Sequence, residues 1–575
     1  MLLFSACRQA PPKAVCAAID PVASRKSVSP APVLTARESI SKMKVEPGLE
    51  VKEVASEPVV IAPVAMAFDD KGRMWVAEMQ GYMPDTTGKG ENEPRGKIAI
   101  LEDTNHDGMM DTRKIFLDKL VMPRALCLID NGLLYAEPPN LWFVPIHNLQ
   151  AGKKLLVDSA YAEGGNPEHQ PNGLMRAIDN WIYSANCKKR YRKKGTRWLI
   201  EPALARGQWG ISQDNYGRLF YNNNSENLLG DYYSPAFGKE DSAGFNENIV
   251  SDNNVFPAHP TPGVNRGYIK GILDDSLRLR NFTAASGPVI YRGGLFGKNY
   301  EQNAFVGEPS ANLVKRDILM DSGYKVTGRQ AYHGKEFLAS TDERFRPVTL
   351  YNGPDGALYV LDMYRGIIQH KTYLTDYLKK EIRSRELSSP LTCGRIYKVV
   401  PEISRDTVVD FPSDPAGLVQ LLDHPSGWVR DKAQQLLIDG KCRQAVPLLR
   451  NNLQLAGSPL TVVHSLWTLE GLGQLTVKDL FPLINNSSPQ VRVQALTAVA
   501  SLINKKNRSE LLQKVGELID RKDSLSVVYT GFLNRDNTLP KNTGISEKNR
   551  LVFPEGFKLF NTICKTCHGE DGNGI

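Results

Sequence analysis

Between residues 60 and 365 apolar and polar positions alternate in short runs, and pairs of runs are joined by turns built on Asp, Asn or Gly. The clear copies are AMAFDDKGRMWVAE (65–78), ALCLIDNGLLYAE (125–137), LMRAIDNWIYSAN (174–186), WGISQDNYGRLFYNN (209–223) and VTLYNGPDGALYVLD (348–362). GPVIYRGGLFGKNYEQNAFVGE (287–308) fits more loosely as a further copy. A period of two marks strands, and the short joints need positive φ, which Gly, Asn and Asp tolerate. Each copy therefore predicts a hairpin with an aromatic residue in its second strand. Recurrence of one hairpin signature tens of residues apart predicts a six-bladed β-propeller over residues 46–405.

After Pro412 the period becomes helical. PAGLVQLLDHPSGWVRDKAQQLLIDG (415–440), PLTVVHSLWTLEGLG (459–473) and DLFPLINNSSPQVRVQALTAVASLIN (479–504) place apolar residues at helical spacing, with Gly and Pro at the joints. Measured at Ala433, Ser465 and Ala495, the interval is 30 to 32 residues. Paired helices at that period predict an all-α, HEAT-like solenoid over 413–533. Residues 534–550 are polar and read as a linker, and 551–575 read as a partial cytochrome c helix. The fold class is thus multidomain, an all-β propeller followed by an all-α solenoid.

A chain of 575 residues exceeds one core, and 41% hydrophobic with 23% charged residues is ordinary for globular domains. The net charge of +8 is mild, and the basic run KKRYRKK (188–194) reads as a solvated loop, so no nucleic-acid partner is expected. No stretch is apolar and long enough to span a bilayer. The start, MLLFSACRQAPPKAVCAA, resembles a bacterial lipobox in which Cys7 would be acylated, although no Lys or Arg precedes the short apolar run. Residues 1–45 then read as an export signal remnant and flexible arm, and the expected location is periplasmic, on a lipid anchor.

Cys564-x-x-Cys567-His568 is the strongest chemical motif. Two thiols at this spacing can bond a haem covalently while the adjoining imidazole ligates its iron. All twelve Met precede it, so the expectation is a cytochrome c domain truncated before its distal ligand. DTNHDGMMD (103–111) has the oxygen spacing of a calcium loop, with Asp103, Asn105, Asp107 and Asp111 as ligands, but Lys114 stands where a bidentate Glu is expected. A dispersed set comprises His169 in EHQPNGL, Asp342, Arg344 and Arg346 in STDERFRPV, Arg365 and His370 in LDMYRGIIQH, and Arg266 and Arg292 in Gly-rich loops. Propellers gather such loops at one mouth, where a histidine can take a hydroxyl proton and arginines can clamp an anion.

HQPNGLMRAIDNWIYSAN, GQWGISQDNYGRLFYNNNS, PTPGVNRGY, NGPDGALYVLDMYRGIIQH and GRIYKVV together resemble a bacterial family of membrane-bound dehydrogenases. That family's N-terminal domain is similar to the six-bladed propeller of pyrroloquinoline-quinone (PQQ) sugar dehydrogenases, commonly followed by HEAT-like repeats and a cytochrome c domain. The resemblance implies an exported oxidoreductase that oxidises a sugar or other alcohol and passes electrons to a c-type haem, and onward to an acceptor such as a cytochrome. It implies a histidine base, for which His169 is the best-placed candidate, and PQQ held by arginines with calcium as cofactors, while Arg346 and Arg365 stand as catalytic candidates from the dispersed set alone. The alternative is a non-catalytic glycan- or protein-binding scaffold carrying an electron-transfer haem.

Overall fold

A computed structural model describes residues 31–238, 243–323, 325–403, 408–455, 457–520 and 522–535. Cys7, Cys564, Cys567 and His568 lie outside the described residues, as do nearly all of the linker and the whole haem-motif segment.

The six hairpins become the two inner strands of six antiparallel sheets, the blades of a propeller. The innermost strands are Pro63–Phe68, Ala125–Ile129, Asn172–Arg176, Ser212–Gln213, Ser286–Ile290 and Pro347–Asn352. The loosely fitting sixth copy forms the inner pair of blade 5, Ser286–Ile290 with Ala304–Glu308. The ring closes through the chain's beginning: Leu49–Ala55 pairs antiparallel with Arg395–Pro401 as the outer strand of blade 6. Just before it, Met43–Val45 pairs with Leu338–Ser340 at the edge of blade 5.

In blades 1, 3 and 6 the aromatic residue of the signature bonds its own turn. Trp75 Nε1 donates to Asp69 at 3.2 Å, the Tyr183 hydroxyl to Asp179 at 2.8 Å, and the Tyr359 hydroxyl to Asp355 at 3.0 Å. The same carboxylates accept N–H groups of their own turns, such as Lys71 on Asp69 and Trp181 on Asp179. A turn carboxylate therefore locks each of these hairpins while the aromatic body fills the blade interior.

The inner strands meet around the central axis in a collar of inter-blade bonds. Gly210 N donates to Asn172 Oδ1 at 2.8 Å, and Gly287 N to the Trp209 carbonyl at 2.8 Å. Trp209 Nε1 donates to Thr349 Oγ1 at 3.2 Å, and that hydroxyl donates to the Val64 carbonyl at 2.9 Å. These bonds join blade 3 to blade 4, blade 4 to both blade 5 and blade 6, and blade 6 to blade 1.

The helical region begins at Pro415–Gln420 and packs across the end where each first strand turns into the second. The helices Gly427–Asp439, Pro459–Gly471 and Pro489–Leu502 supply its contacts. Gln434 donates to the Ile178 carbonyl, Lys432 to the Phe68 carbonyl, and Gln494 to the Tyr216 carbonyl. KKRYRKK is not a solvated loop. Residues Lys189–Lys194 form the third strand of blade 3. Arg192 makes a two-pronged bond to Glu470, at 2.9 and 2.6 Å, and Arg190 stacks 4.1 Å from the Trp181 ring centre. Arg190, Tyr191 and Arg192 are all buried, because strand alternation turns the two arginines to one face and Tyr191 to the other and both faces are covered.

The collar tolerates no side chain at Gly287, whose φ is +55° and whose added Cβ would lie 2.4 Å from Thr349 Cα. Gly287→Ala should cost well over ~3 kcal/mol, whereas Gly334→Ala, also at positive φ but with open space around it, should cost about 1–2 kcal/mol. Urea melts of the two variants compare them, and equal losses would contradict a tight collar.

Candidate functional site

With one end of the ring covered by helices, the strand alternation places the remaining loops at the other end. A cavity of about 100 Å³ opens there. Val64, Met79, Trp209, Val348, Met363 and Ile368 form its apolar wall, and Glu168, Gln208, Asn224 and Ser310 its polar edge. These residues come from the inner-strand starts and from the loops that join second to third strands.

Glu168 sits on a short 3-10 turn, Pro167–His169, capped by the Asn166 side chain. Its Oε1 lies 2.8 Å from the Tyr82 hydroxyl and accepts the His370 backbone N–H at 2.6 Å. The Tyr82 hydroxyl is also 2.9 Å from the Ile368 carbonyl. Burial pushes the Glu168 carboxyl above its ordinary range, against the opposing pull of Tyr82 and the His370 N–H. The His370 imidazole turns away, 2.8 Å from Thr372 Oγ1 and 3.3 Å from Glu91. His169 stands at the rim, its Nε2 3.4 Å from Gln208 Nε2 and its ring 5.4 Å from Tyr373. Partial burial lowers its pKa, which favours the neutral, proton-accepting imidazole.

The arginines expected at the site do something else. Arg346 is buried, and its guanidinium donates to the carbonyls of Pro309 at 2.7 Å, Arg365 at 2.9 Å and Gly366 at 3.1 Å. Arg344 donates to Ala31, Ser389 and Glu386 carbonyls. Arg365 donates to the Gln80 carbonyl at 3.2 Å, while its Nε and NH1 are buried without a partner; burial lowers its pKa to about 10. Arg292 pairs with Asp431 of the helical region, Asp342 accepts from Ser39, and Arg266 is exposed. Arg346 and Arg365 thus brace mouth loops and do not line the cavity. Glu168 escaped sequence reasoning although it precedes His169 in EHQPNGL; its partners lie 86 and 202 residues away.

The calcium-like loop is an exposed hairpin between the third and fourth strands of blade 1, at the end away from the mouth. Gly108 N donates to Asp103 Oδ2 at 2.9 Å, and Thr104 Oγ1 to Asp111 at 2.9 Å. Asn105 and Asp107 bond each other at 3.2 Å. Among the described residues no three His, Cys, Asp or Glu side chains gather as a metal site.

Fold and mouth define a six-bladed propeller with an accessible ligand cavity. The chain belongs to the family described as a domain of unknown function, DUF7133, whose model matches residues 35–403. No curated protein matches it. Among solved structures it is similar to an oxidoreductase (glucose dehydrogenase) of Thermus thermophilus, at 13% identity over 61% of this chain and 100% of that one, with a TM-score of 0.34. It is also similar to the soluble aldose sugar dehydrogenase of Escherichia coli, at 13% identity over 62% and 100%, with a TM-score of 0.32. The periplasmic gluconolactonase of Pseudomonas aeruginosa follows at 12% identity over 48% and 72%, with a TM-score of 0.26. These are likenesses of fold alone.

Arg346→Leu would strand three buried carbonyls, so it should cost roughly 3 kcal/mol or more of stability. A variant that melts like the parent would show that the bonds to Pro309, Arg365 and Gly366 are dispensable. Glu168 gives a pH test. Its raised pKa means that the native state holds the proton longer than the unfolded chain, so its contribution is full below about pH 4 and fades as pH rises through the folded value. Glu168→Gln should match the parent near pH ~4 and exceed its Tm near pH ~8. A gap that opens toward acid would reverse the assignment.

Proposed function

We propose that the chain is an exported oxidoreductase whose mouth binds a sugar or similar alcohol, with His169 taking the hydroxyl proton. The observation that supports this most is the Pro167–His169 turn, which sets a neutral imidazole 3.4 Å from Gln208, outside the lining itself but next to the wall residues Glu168 and Gln208 of a cavity with one apolar wall and one hydrogen-bonding edge. Such a cavity suits a ring with hydroxyls on its edge and CH groups on its face. Gln208 and Glu168 would orient the alcohol, and the apolar wall would exclude water.

The hydride leaving the carbinol carbon needs a two-electron acceptor: an uncharged quinone bound at the mouth, or in the assay the added dye, would take it, and electrons would then leave one at a time through a c-type haem. The donor set fits that group: Cys564 and Cys567 would hold it covalently and His568 would ligate its iron, supplying a one-electron relay. A lipid on Cys7 would keep the assembly at a membrane surface outside the cytoplasm. Calcium at Asp103, Asn105, Asp107 and Asp111 fits less well, because their oxygens bond the loop's own donors and the carboxylates do not gather as a metal site. PQQ fits less well, because among the described residues that line the cavity none is basic.

That lack of a basic group also favours a second reading, a propeller that holds a glycan without turning it over. Dye reduction by the haem-loaded full chain, with a panel of sugars, separates the two. Turnover is expected, and His169→Gln should lower kcat about 100-fold or more with KM little changed. No dye reduction with any sugar would leave the binding module.

A further inference from the structure

We infer that the mouth selects an uncharged, hydroxyl-rich ligand and excludes an anionic quinone, so that the arginines beneath it are loop pins and not an anion clamp. This rests on reading the mouth as the binding site. Pyrroloquinoline quinone is a fused-ring tricarboxylate, and its capture in a half-buried site calls for several charged donors in direct contact.

The guanidinium groups near the mouth are oriented otherwise. Arg124 donates to the carbonyls of Met122 and Pro167, at 3.2 and 2.8 Å. Arg344 and Arg346 each hold three backbone carbonyls, and Arg365 holds one. None of the four lines the cavity. Among the described residues on the wall the one side chain that can carry charge at neutral pH is Glu168, an acceptor that repels a carboxylate when ionised. An anion would give up its hydration there without a charged donor to replace it.

A neutral sugar meets the opposite situation. Its hydroxyls can donate to Glu168 and accept from the Gln208 amide or the Ser310 hydroxyl, and its CH face can lie on Met79 and Trp209. Size agrees. The cavity's volume of about 100 Å³ corresponds to roughly seven to ten water positions, room for one sugar ring. The group that could speak for an anion is Arg365, whose Nε and NH1 are buried without partners; it is therefore built into the test.

The full chain is titrated calorimetrically with neutral hexoses, with the matching uronic acids, and with PQQ in the presence and absence of calcium. The expected order is neutral hexose tighter than its uronate by about tenfold, with no saturable PQQ binding, and a narrower hexose–uronate gap in Glu168→Gln. One-to-one PQQ binding would overturn the inference, above all if Arg365→Leu abolished it. So would a uronate that binds more tightly than its hexose, or the absence of binding by every neutral hexose. The oxidoreductase proposal fails separately, when a hexose binds calorimetrically but no dye is reduced.

Discussion

A ring of sheets has two free edges until something joins them, and here backbone pairing between Leu49–Ala55 and Arg395–Pro401 does so. Loop-closure entropy across almost the whole propeller must be met by that one ladder together with the collar. The collar adds what the ladder cannot, because it fixes the inner strands to one another. Gly210 and Gly287 permit the approach, since an added Cβ on Gly210 would sit 2.7 Å from Gly287 Cα. With the inner strands held at this distance, the cavity's shape is set by loops, and ligand choice falls to side chains on those loops.

The two ends of the ring use arginine in different ways. At the helical end each of three cations meets a carboxylate: Arg176 with Asp439, Arg192 with Glu470, Arg292 with Asp431. Buried pairs of this kind add little net stability, but removing one partner costs about 3–5 kcal/mol. They therefore fix which helix docks on which turn. At the mouth, Arg124, Arg344, Arg346 and Arg365 meet carbonyls instead, although Arg385 there pairs with Glu343 and Glu381 and Arg395 with Glu57. Burial lowers the pKa of Arg124 and Arg365 to about 10, with no carboxylate among the causes. A planar fork with five donors can hold several carbonyls of an irregular loop at once, which a lysine cannot. Irregular loops have carbonyls without ladder partners, so this is where such a group is most useful.

What was legible in the sequence follows from range. Five of the six hairpins could be read clearly because alternation, turn residue and aromatic all fall within about fifteen residues, the distance over which local rules act, and the sixth fits loosely because its turn is longer. The helices could be read for the same reason, and a Val-Arg pair that recurs in two of them, Val429-Arg430 and Val491-Arg492, has a local meaning. Arg430 bonds the His424 and Pro425 carbonyls, and Arg492 bonds those of Asn486 and Ser487, each just before its own helix. That His169 would stand at the mouth end could be expected because loops before inner strands converge there in a propeller. Glu168, Arg346 and the strand inside KKRYRKK were not legible, because partners from other blades or from the helices decide their roles. An arginine's sequence context does not say whether its partner is a ligand carboxylate or a buried carbonyl.

The same asymmetry bears on how the molecule can work. Helices cover the turn end, so the mouth is the approach left to a ligand along the central axis. The wall at that mouth is assembled from residues as far apart as Val64, Glu168, Ser310 and Gln369, supplied by several blades on one collar. A change in any single blade moves one part of the wall, while the collar keeps the others in place. Selectivity can then change residue by residue without loss of the fold. A shared propeller is therefore weak ground for assigning a cofactor, and the direction in which each guanidinium points is stronger ground.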